Sequence, residues 1–382
     1  MNRVVITGLG AVSPLGADVQ SLWNGLLEGR SGIRRLERFS KSGLAVTAGG
    51  EVESVPVGTE NRDEVIARAA IDQALDQSGL DAQHAGFVWS TGLDSYQIGD
   101  QGLFWNSSGG CFHRLSKRFH GPKRMIAMAC ASGTAAIGEG FRLIRSERID
   151  ACVVGGSSTM LTMFYILGFG GLQALAFDTN GADPATCCRP FDKNRRGFVL
   201  ADGAGALVLE SHVSALRRGA LILAEVKGYG VSQDAYDLNR PTEDGSGAEL
   251  CLRRTVGDAN LRPGDIHAVN AHGTGTYVGD LAEASALRRL FGSSWSEKPV
   301  SSVKGSIGHT QAAAGALEAI VAIQTCRTGL VPHTVNLEEP GQGCELDHIM
   351  NKPFQIEGPT VLSSSFGMGG QNAAVVFQRF SP

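Results

Sequence analysis

Four side chains with useful chemistry lie in three short stretches of otherwise small residues. Cys130 lies in the run MACASG, His272 in NAHGTGT, and Lys304 and His309 share KGSIGH. A cysteine thiolate can carry an acyl group as a thioester, and two imidazole N–H groups can stabilise an enolate made by decarboxylation. One thiol, two imidazoles and one amine are therefore suited to forming carbon–carbon bonds from thioesters.

The surroundings of Cys130 favour a functional interpretation of this residue. A strand-like run ends here, and a helix is predicted to follow at 133–144. The helix dipole and the free backbone N–H groups at a helix N-terminus favour the thiolate. Ala129, Ala131 and Gly133 leave room for a sharp turn and for an acyl chain. An isolated cysteine is more often a small buried residue, and we apply that interpretation to the other cysteines.

On these motifs the chain resembles the β-ketoacyl-acyl carrier protein synthases, elongating condensing enzymes of the thiolase superfamily that use one cysteine and two histidines. The resemblance implies that Cys130 is the nucleophile and that His272 and His309 are the donors. It also implies that Lys304, in a Lys-x-x-x-Gly-His pattern, is buried and organises the histidines. Glu318 lies on the helix predicted after His309. It is the expected counter-charge, because a buried amine needs a partner.

Further matches to the family extend the predicted site. Asp280 and Glu283 complete the first histidine motif and are expected to support it. The run SSSFGMGGQN near the C-terminus resembles a turn whose first phenylalanine gates the acyl pocket. Phe366 takes that place here, and Met368 replaces the second aromatic residue of the gate. The resemblance implies that the backbone N–H groups of Cys130 and Phe366 form the oxyanion hole.

A basic segment, RPFDKNRRGF at 189–198, also matches the family. Its residues Lys193, Arg195 and Arg196 could steer an acidic carrier protein toward the chain through charge attraction. Clusters of this kind are more often a solvated surface, so the sequence leaves both interpretations open.

Composition argues against several classes of protein. The 382 residues are 42% hydrophobic, enough for a large core and two domains. The net charge of −4 argues against nucleic acid as the main partner. No apolar run is long enough to span a bilayer, and the opening MNRVVITG indicates a buried strand rather than a signal peptide. The eight cysteines form no CxxC pair, which predicts neither a zinc site nor a disulfide framework and favours a reducing cytoplasm.

Strand-like and helix-like segments alternate along the chain, which predicts an α/β fold with buried sheets. The predicted strands are 3–8, 86–90, 151–154, 204–210, 224–231, 267–270, 361–364 and 373–377. The predicted helices are 18–27, 63–78, 133–144, 247–259, 280–290 and 311–325. The family resemblance implies a thiolase-like fold of five αβαβα layers built from two similar halves. On that basis residues 1–210 carry the nucleophile and residues 211–382 carry both histidines.

One segment departs from the family pattern. Between Gly92 and Cys130 the chain is shorter than family members, in which this region covers the acyl pocket and contributes to the dimer interface. The segment has poor helix and strand signals, so Phe104, Trp105 and Phe112 are expected to be poorly buried. Exposed aromatic residues favour interfaces. We therefore expect association with a second chain. The resemblance to a dimeric family implies a homodimer, with a heterodimer containing a second ketosynthase-like subunit as the alternative. A short pocket for small acyl groups is the other possible outcome.

The reaction predicted from the resemblance is a decarboxylative condensation. An acyl group on Cys130 reacts with a malonyl group on an acyl carrier protein and gives a β-ketoacyl thioester, in fatty acid or in type II polyketide or polyene elongation. This reaction needs no metal and no organic redox cofactor, so none is expected. Phosphopantetheine enters as part of the carrier-bound substrate.

Three alternatives fit the sequence less well. A non-decarboxylating thiolase would need a second catalytic cysteine near the C-terminus, and none follows Cys344. The related enzymes that start fatty acid synthesis pair a cysteine with histidine and asparagine, and the second histidine, His309, disfavours them. A non-catalytic subunit that sets chain length in a heterodimer typically lacks the nucleophile, whereas Cys130 is intact. The shortened segment keeps this third alternative open.

Overall fold

A computed structural model describes residues 2–39, 46–92, 96–99, 102–105, 110–177 and 183–382, with the backbone alone at 96–99 and 102–105. The helices are α1 (Val19–Leu27), α2 (Arg62–Ser78), α3 (Cys111–Ser116), α4 (Ser132–Arg145), α5 (Met163–Gly171), α6 (His212–Arg217), α7 (Ser246–Asp258), α8 (Tyr277–Phe291), α9 (Lys304–Ile307) and α10 (Ala314–Thr328). The strands are β1 (Val4–Val12), β2 (Ile33–Arg35), β3 (Ala48–Gly50), β4 (Gly86–Ser90), β5 (Tyr96–Gly99), β6 (Gly102–Trp105), β7 (Lys123–Ile126), β8 (Ala151–Ser158), β9 (Gly203–Ser211), β10 (Ala224–Gln233), β11 (Ala268–Asn270), β12 (Val300–Ser301), β13 (Leu330–Val331), β14 (Phe354–Gln355), β15 (Thr360–Gly367) and β16 (Gln371–Gln378).

The main sheet repeats one strand order on either side of its centre. Its order is β12-β11-β15-β16-β10-β1-β9-β8-β4-β7, with β1 and β10 antiparallel in the middle. On each side the first two pairings outward are antiparallel, and the last two are parallel. This arrangement agrees with two similar halves. The division at residue 210 stays a prediction, because β9 crosses that position.

Helices cover both faces of this sheet and divide the molecule into layers. Helices α4 and α10 contact each other and strands of both halves, so they form a central layer. Helix α2 packs on β1 and β9, while α7 packs on β10 and β16 with α8 beside it. Three clusters of buried apolar side chains follow the same division. The predicted α/β fold with five αβαβα layers is therefore confirmed.

Two glycines allow the central helices to approach each other closely. A Cβ atom on Gly133 of α4 would lie 2.8 Å from Ala316 N and 2.9 Å from Ala312 O. On the facing helix, a Cβ atom on Gly315 of α10 would lie 2.5 Å from Thr134 N of α4. Real Cβ atoms do not approach other atoms so closely, so both positions require glycine. This contact brings the start of α4, next to Cys130, against the start of α10.

Most predicted elements are present with ends shifted by a few residues. The helix predicted for 311–325 differs most, because residues 311–313 form a 3-10 turn and α10 begins only at Ala314. The reason is local: Gln311 has a positive φ of 50°, which interrupts a right-handed helix. Within the described residues, no helix combines the length and the apolar character needed to cross a membrane.

The expectation of a poorly structured segment before Cys130 is wrong. Strands β5 and β6 form an antiparallel pair, and α3 follows them. The ring of Phe112 stacks on Phe87 at 5.6 Å between centroids, so it packs against the core. The side chains of Phe104 and Trp105 lie outside the described residues. Phe112 is half-buried against this cluster, which weakens one of the reasons for predicting an interface at this segment.

Candidate active site

Cys130 lies in the tight turn that joins β7 to α4. Ala129 has a positive φ of 45°. The hydroxyl of Ser132 accepts a hydrogen bond from Met128 N at 2.7 Å and donates one to Ala129 O at 2.6 Å. These contacts close the turn and hold the Cys130 side chain, which is buried, at the start of α4.

Burial and nearby positive groups act in opposite directions on the protonation of the Cys130 thiol. Burial raises its pKa to about 11, although the charge of Lys304 and the backbone N–H of Met368 act in the opposite direction. Desolvation therefore outweighs the groups that favour the anion at this helix N-terminus, and the thiolate as the reacting form stays a prediction. The thiol proton must leave during acyl transfer.

One residue that contacts the nucleophile, Gln311, is absent from the predicted site. The Cys130 thiol donates a hydrogen bond to Gln311 Oε1 at 3.1 Å, and both side chains are buried. Gln311 follows His309 by two residues and precedes α10. The available signal in the sequence is a long polar side chain within a run of small residues, HTQAAAG, directly after a candidate histidine.

Glu283 of α8 holds the loop that carries His272. Its carboxylate accepts hydrogen bonds from the backbone N–H groups of His272 at 2.8 Å and Gly273 at 2.7 Å, and from the hydroxyl of Ser364 at 2.9 Å. Burial raises the pKa of Glu283 to about 7, while the two backbone donors lower it. Glu283 therefore fixes the backbone at His272.

Asp280 of α8 holds the next part of the same loop. It accepts hydrogen bonds from the backbone N–H groups of Thr274 at 2.9 Å, Gly275 at 3.1 Å and Phe191 at 2.7 Å. Burial raises its pKa to about 6, and these donors act against that rise. Among the described residues, no group of His, Cys, Asp or Glu side chains could hold a metal ion.

Lys304, the first residue of α9, is fully buried against His272. Its ammonium donates to His272 O at 2.6 Å and lies 3.3 Å from His272 Nδ1. It also pairs with the carboxylate of Glu318 on α10, which is the contact that charge compensation predicted. Since an ammonium is only a donor, Nδ1 must accept, and the proton of His272 therefore lies on Nε2.

His309 has the same tautomer as His272. The backbone N–H of Gln311 donates to His309 Nδ1 at 3.3 Å, so the ring proton lies on Nε2. The two imidazole rings lie 5.4 Å apart between centroids, at an interplanar angle of 82°. Burial, and after it the charge of Lys304, hold the pKa of both imidazoles well below the usual value. Both histidines are therefore neutral hydrogen-bond donors.

A further backbone donor lies near the predicted oxyanion hole. Phe366 lies in β15 opposite Asn372 of β16, with its ring 6.0 Å from that of His272 between centroids. The backbone N–H that reaches the Cys130 sulfur belongs to Met368, in the turn between these two strands. Met368 N–H is therefore a second candidate donor beside Cys130 N–H, and the oxyanion-hole role of Phe366 N–H stays a prediction. The predicted gating roles of Phe366 and Met368 stay predictions.

The basic cluster divides into a buried part and an exposed part. Arg195 is buried and lies 3.8 Å from Asp280, so its predicted contact with a carrier protein is wrong. Its guanidinium donates to three backbone carbonyl oxygens, those of Thr276, Asp192 and Tyr277. Lys193 and Arg196 are exposed, and Lys193 pairs with Glu339. These two residues alone remain available to a partner.

Two family descriptions match the chain. The β-ketoacyl synthase N-terminal domain matches residues 1–92 and 114–215. The β-ketoacyl synthase C-terminal domain matches residues 223–338. Together these matches cover most of the chain and include the candidate residues at 130, 272, 304 and 309.

Curated relatives match over nearly the full length. The chain is 36% identical to the 3-oxoacyl-[acyl-carrier-protein] synthase 2 of Vibrio harveyi, covering 99% of each chain. It is 34% identical to the protein of the same name from Coxiella burnetii, covering 99% of this chain and 98% of that one. The first alignment spans 414 positions, more than the 382 residues of this chain. Residues 93–113 lie outside the N-terminal family match, which agrees with the predicted departure from the family there.

Solved ketosynthase structures are also similar. A type II polyketide synthase ketosynthase, in complex with its acyl-carrier protein and bound to the hexaketide, superimposes with a TM-score of 0.90 at 28% identity, covering 99% of this chain and 100% of that chain. The ishigamide ketosynthase/chain length factor superimposes with a TM-score of 0.86 at 28% identity, covering 100% of both chains.

Proposed function

The chain belongs to the β-ketoacyl synthase family, and from this premise we propose that it catalyses a decarboxylative condensation. An acyl group held on Cys130 reacts with a malonyl group on an acyl carrier protein to give a β-ketoacyl thioester, in fatty acid or polyketide elongation. The observation that carries the proposal is a pair of neutral imidazoles that both keep their proton on Nε2, linked to the buried Cys130 thiol through Gln311, which contacts the thiol and His309.

The first step transfers the acyl group to Cys130. Its sulfur attacks the carrier thioester, the acyl bond to the carrier sulfur breaks, and the thiol proton leaves with the carrier thiol. The negative oxygen of the tetrahedral intermediate is held by the backbone N–H groups of Cys130 and Met368. Such preorganised donors stabilise charge where it develops in the transition state.

The second step uses the histidines. The thioester carbonyl oxygen of the malonyl group accepts hydrogen bonds from Nε2–H of His272 and His309 while carbon dioxide leaves. The resulting enolate attacks the acyl carbonyl carbon on Cys130, the bond to Sγ breaks, and the sulfur takes up a proton from solvent. Neutral imidazoles suit this step because each has a proton on Nε2 that it can donate in a hydrogen bond to the enolate oxygen.

Lys304 and Glu318 are positioning residues in this proposal. The ammonium fixes the tautomer of His272, and its charge adds to the larger effect of burial, which holds the pKa of His272 and His309 well below the usual value. Glu318 compensates the buried charge of Lys304. Their effect on the reaction therefore passes through the imidazoles.

The partner in catalysis is an acyl carrier protein. Lys193 and Arg196 are the exposed basic residues that could attract its acidic surface. Phosphopantetheine comes with the carrier, and none of the proposed steps needs a cofactor bound to this chain. A cytoplasmic location is part of the same proposal.

The chain pairs with a second ketosynthase-like chain, a second copy by default and a different subunit as the alternative. Among the described strands, β7 ends the sheet and pairs with β4 alone, which leaves an open edge. Helix α5 exposes Phe164 and Leu167, and exposed apolar side chains favour an interface. Light scattering after gel filtration measures the state in solution. A stable, active monomer at micromolar concentration would contradict pairing.

Intact-protein mass spectrometry tests the nucleophile. After incubation with an acyl-carrier substrate, the wild-type chain should gain the mass of one acyl group, and peptide mapping should locate it on Cys130. Cys130→Ser should abolish condensation, because a hydroxyl is far less nucleophilic than a thiolate. The matched control is Cys251→Ser at a buried cysteine of α7, which should be acylated normally. Acyl mass on another cysteine, with Cys130 unmodified, would overturn the assignment.

The alternative of a non-catalytic, chain-length-setting subunit is not favoured. Such a subunit has no need for a thiol, two imidazoles of matched tautomer and a buried ammonium in one site. Product formation by the purified chain with carrier substrates separates the two functions. Activity only after a second ketosynthase-like subunit is added, with no acyl mass on Cys130, would support the alternative.

A further inference from the structure

Within the part of the chain that the structure describes, the side-chain amide of Gln311 has a hydrogen-bond partner at one end only. Its Oε1 accepts the hydrogen bond from the Cys130 thiol at 3.1 Å. Its Nε2 is buried and has no hydrogen-bond partner among the described residues. Buried polar groups are nearly always paired, because an unpaired donor loses its hydration without compensation. An unused donor therefore lies beside the nucleophile.

The backbone holds this amide in its position. Gln311 has a φ of 50°, a left-handed conformation that is unfavourable for a residue with a side chain. Its backbone N–H donates to His309 Nδ1 at 3.3 Å, and the next carbonyl, Ala312 O, accepts from Ser90 Oγ at 2.9 Å. An unfavourable conformation persists only where surrounding contacts enforce it. The fold therefore holds Gln311 with its side-chain amide at Cys130 and its backbone N–H at His309.

Acylation of Cys130 changes what the amide can bind. The bond from the acyl group to the carrier sulfur breaks, the bond to Cys130 Sγ forms, and the thiol proton leaves with the carrier thiol. Gln311 Oε1 then loses its donor, so both ends of the amide need partners from the acyl chain. A saturated chain offers none. An oxygen on the third carbon of the chain lies four bonds from Sγ, within reach of an amide that already contacts Sγ.

We propose that Gln311 is a specificity-determining residue, which selects acyl chains with an oxygen on the third carbon over saturated chains of the same length. A hydroxyl there can donate to Oε1 or accept from Nε2, and a keto oxygen can accept from Nε2. The inference rests on the proposed condensing function. Acyl chains of this kind come from an earlier condensation, when the β-keto group of its product is left intact or is reduced only to the alcohol.

Single-turnover acylation of the full chain tests the proposal. The substrates are pantetheine thioesters of hexanoate and of both enantiomers of 3-hydroxyhexanoate, and intact mass follows the acyl group on the protein. The wild-type chain should react about tenfold faster or more with the preferred 3-hydroxyhexanoyl enantiomer than with hexanoyl, as expected when a buried amide gains a hydrogen bond. Gln311→Leu should remove that preference, while Gln324→Leu, at another buried glutamine, should keep it.

A second variant protects the test against loss of the fold. Gln311→Asn keeps an amide and tolerates the left-handed backbone, but its shorter side chain should also lose the preference. Equal rates for both acyl groups in the wild-type chain would overturn the proposal, as would an unchanged preference in folded Gln311→Leu. If neither thioester acylates wild-type Cys130, the proposed function itself fails, and this inference fails with it.

Discussion

Replacing Glu318 by glutamine tests how the buried ion pair supports the site. Lys304 is 0% exposed and Glu318 is 1% exposed, so neither charge is compensated by water. The other acceptors for the ammonium are His272 O at 2.6 Å and His272 Nδ1 at 3.3 Å. Glu318→Gln removes the only negative charge that pairs with Lys304 among the described residues.

The expected loss of stability follows from this geometry. Removing one partner of a buried pair typically costs about 3–5 kcal/mol. The two His272 acceptors and the new amide oxygen keep the ammonium hydrogen-bonded, so we expect a loss of about 3 kcal/mol in the free energy of unfolding. The double variant Lys304→Met/Glu318→Leu should recover most of that loss, because apolar replacement of a buried pair is often neutral. It should nevertheless condense poorly, because His272 loses the donor at Nδ1.

Urea unfolding followed by tryptophan fluorescence measures these stabilities, and β-ketoacyl product formation measures activity. Glu339→Gln is the matched control, since it removes the partner of exposed Lys193 and should leave the unfolding midpoint unchanged. A Glu318→Gln variant as stable as the wild-type chain would refute the reasoning on charge compensation. A double variant with wild-type activity would refute the positioning role of Lys304.

Three further predictions concern the histidine, the thiol and the helix contact. His272→Ala should still form the acyl-enzyme but should decarboxylate malonyl thioester about 10²–10³-fold more slowly. Released carbon dioxide measures this rate, and an unchanged rate would contradict the role of His272 as a hydrogen-bond donor in decarboxylation. The rate at which iodoacetamide labels Cys130 should rise about tenfold per pH unit up to the pKa of about 11, because the thiolate fraction rises with pH. A labelling rate that reaches a plateau below about pH 8 would contradict burial of a neutral thiol. Gly315→Ala should lower the midpoint of thermal unfolding, since the added Cβ would lie 2.5 Å from Thr134 N. Overpacking of this kind costs about 1–3 kcal/mol in stability. An unchanged midpoint would contradict the close contact of α4 and α10.

Local patterns predicted the fold and the contacts around the reactive groups. Alternating strand and helix signals were enough for the α/β class, because the hydrophobic period differs between the two elements. The pairing of Lys304 with Glu318 followed from charge compensation, since a buried ammonium requires an acid nearby. The anchoring of the His272 loop by Glu283 followed the family motif.

Features that depend on residues far apart in the chain were not predictable in this way. The pKa of Cys130 depends on desolvation by packing, which no local motif reports. Arg195 belongs to a charged run, yet its guanidinium donates to carbonyl groups at the start of α8. The amide of Gln311 contacts the thiol from a backbone with a positive φ, which no local motif predicts. Each of these results from tertiary contacts that override local preference.

Malonyl decarboxylation by a chain that cannot be acylated tests the central claim most directly. In Cys130→Gln the nucleophile is removed, while His272 and His309 keep the contacts that leave a proton on each Nε2. This variant should release carbon dioxide from malonyl-carrier protein and leave acetyl-carrier protein. Cys130→Gln/His309→Ala should do so about 10²–10³-fold more slowly. Equal rates in the two variants, or no decarboxylation by Cys130→Gln, would contradict the claim that the paired imidazoles drive this step independently of the thiol.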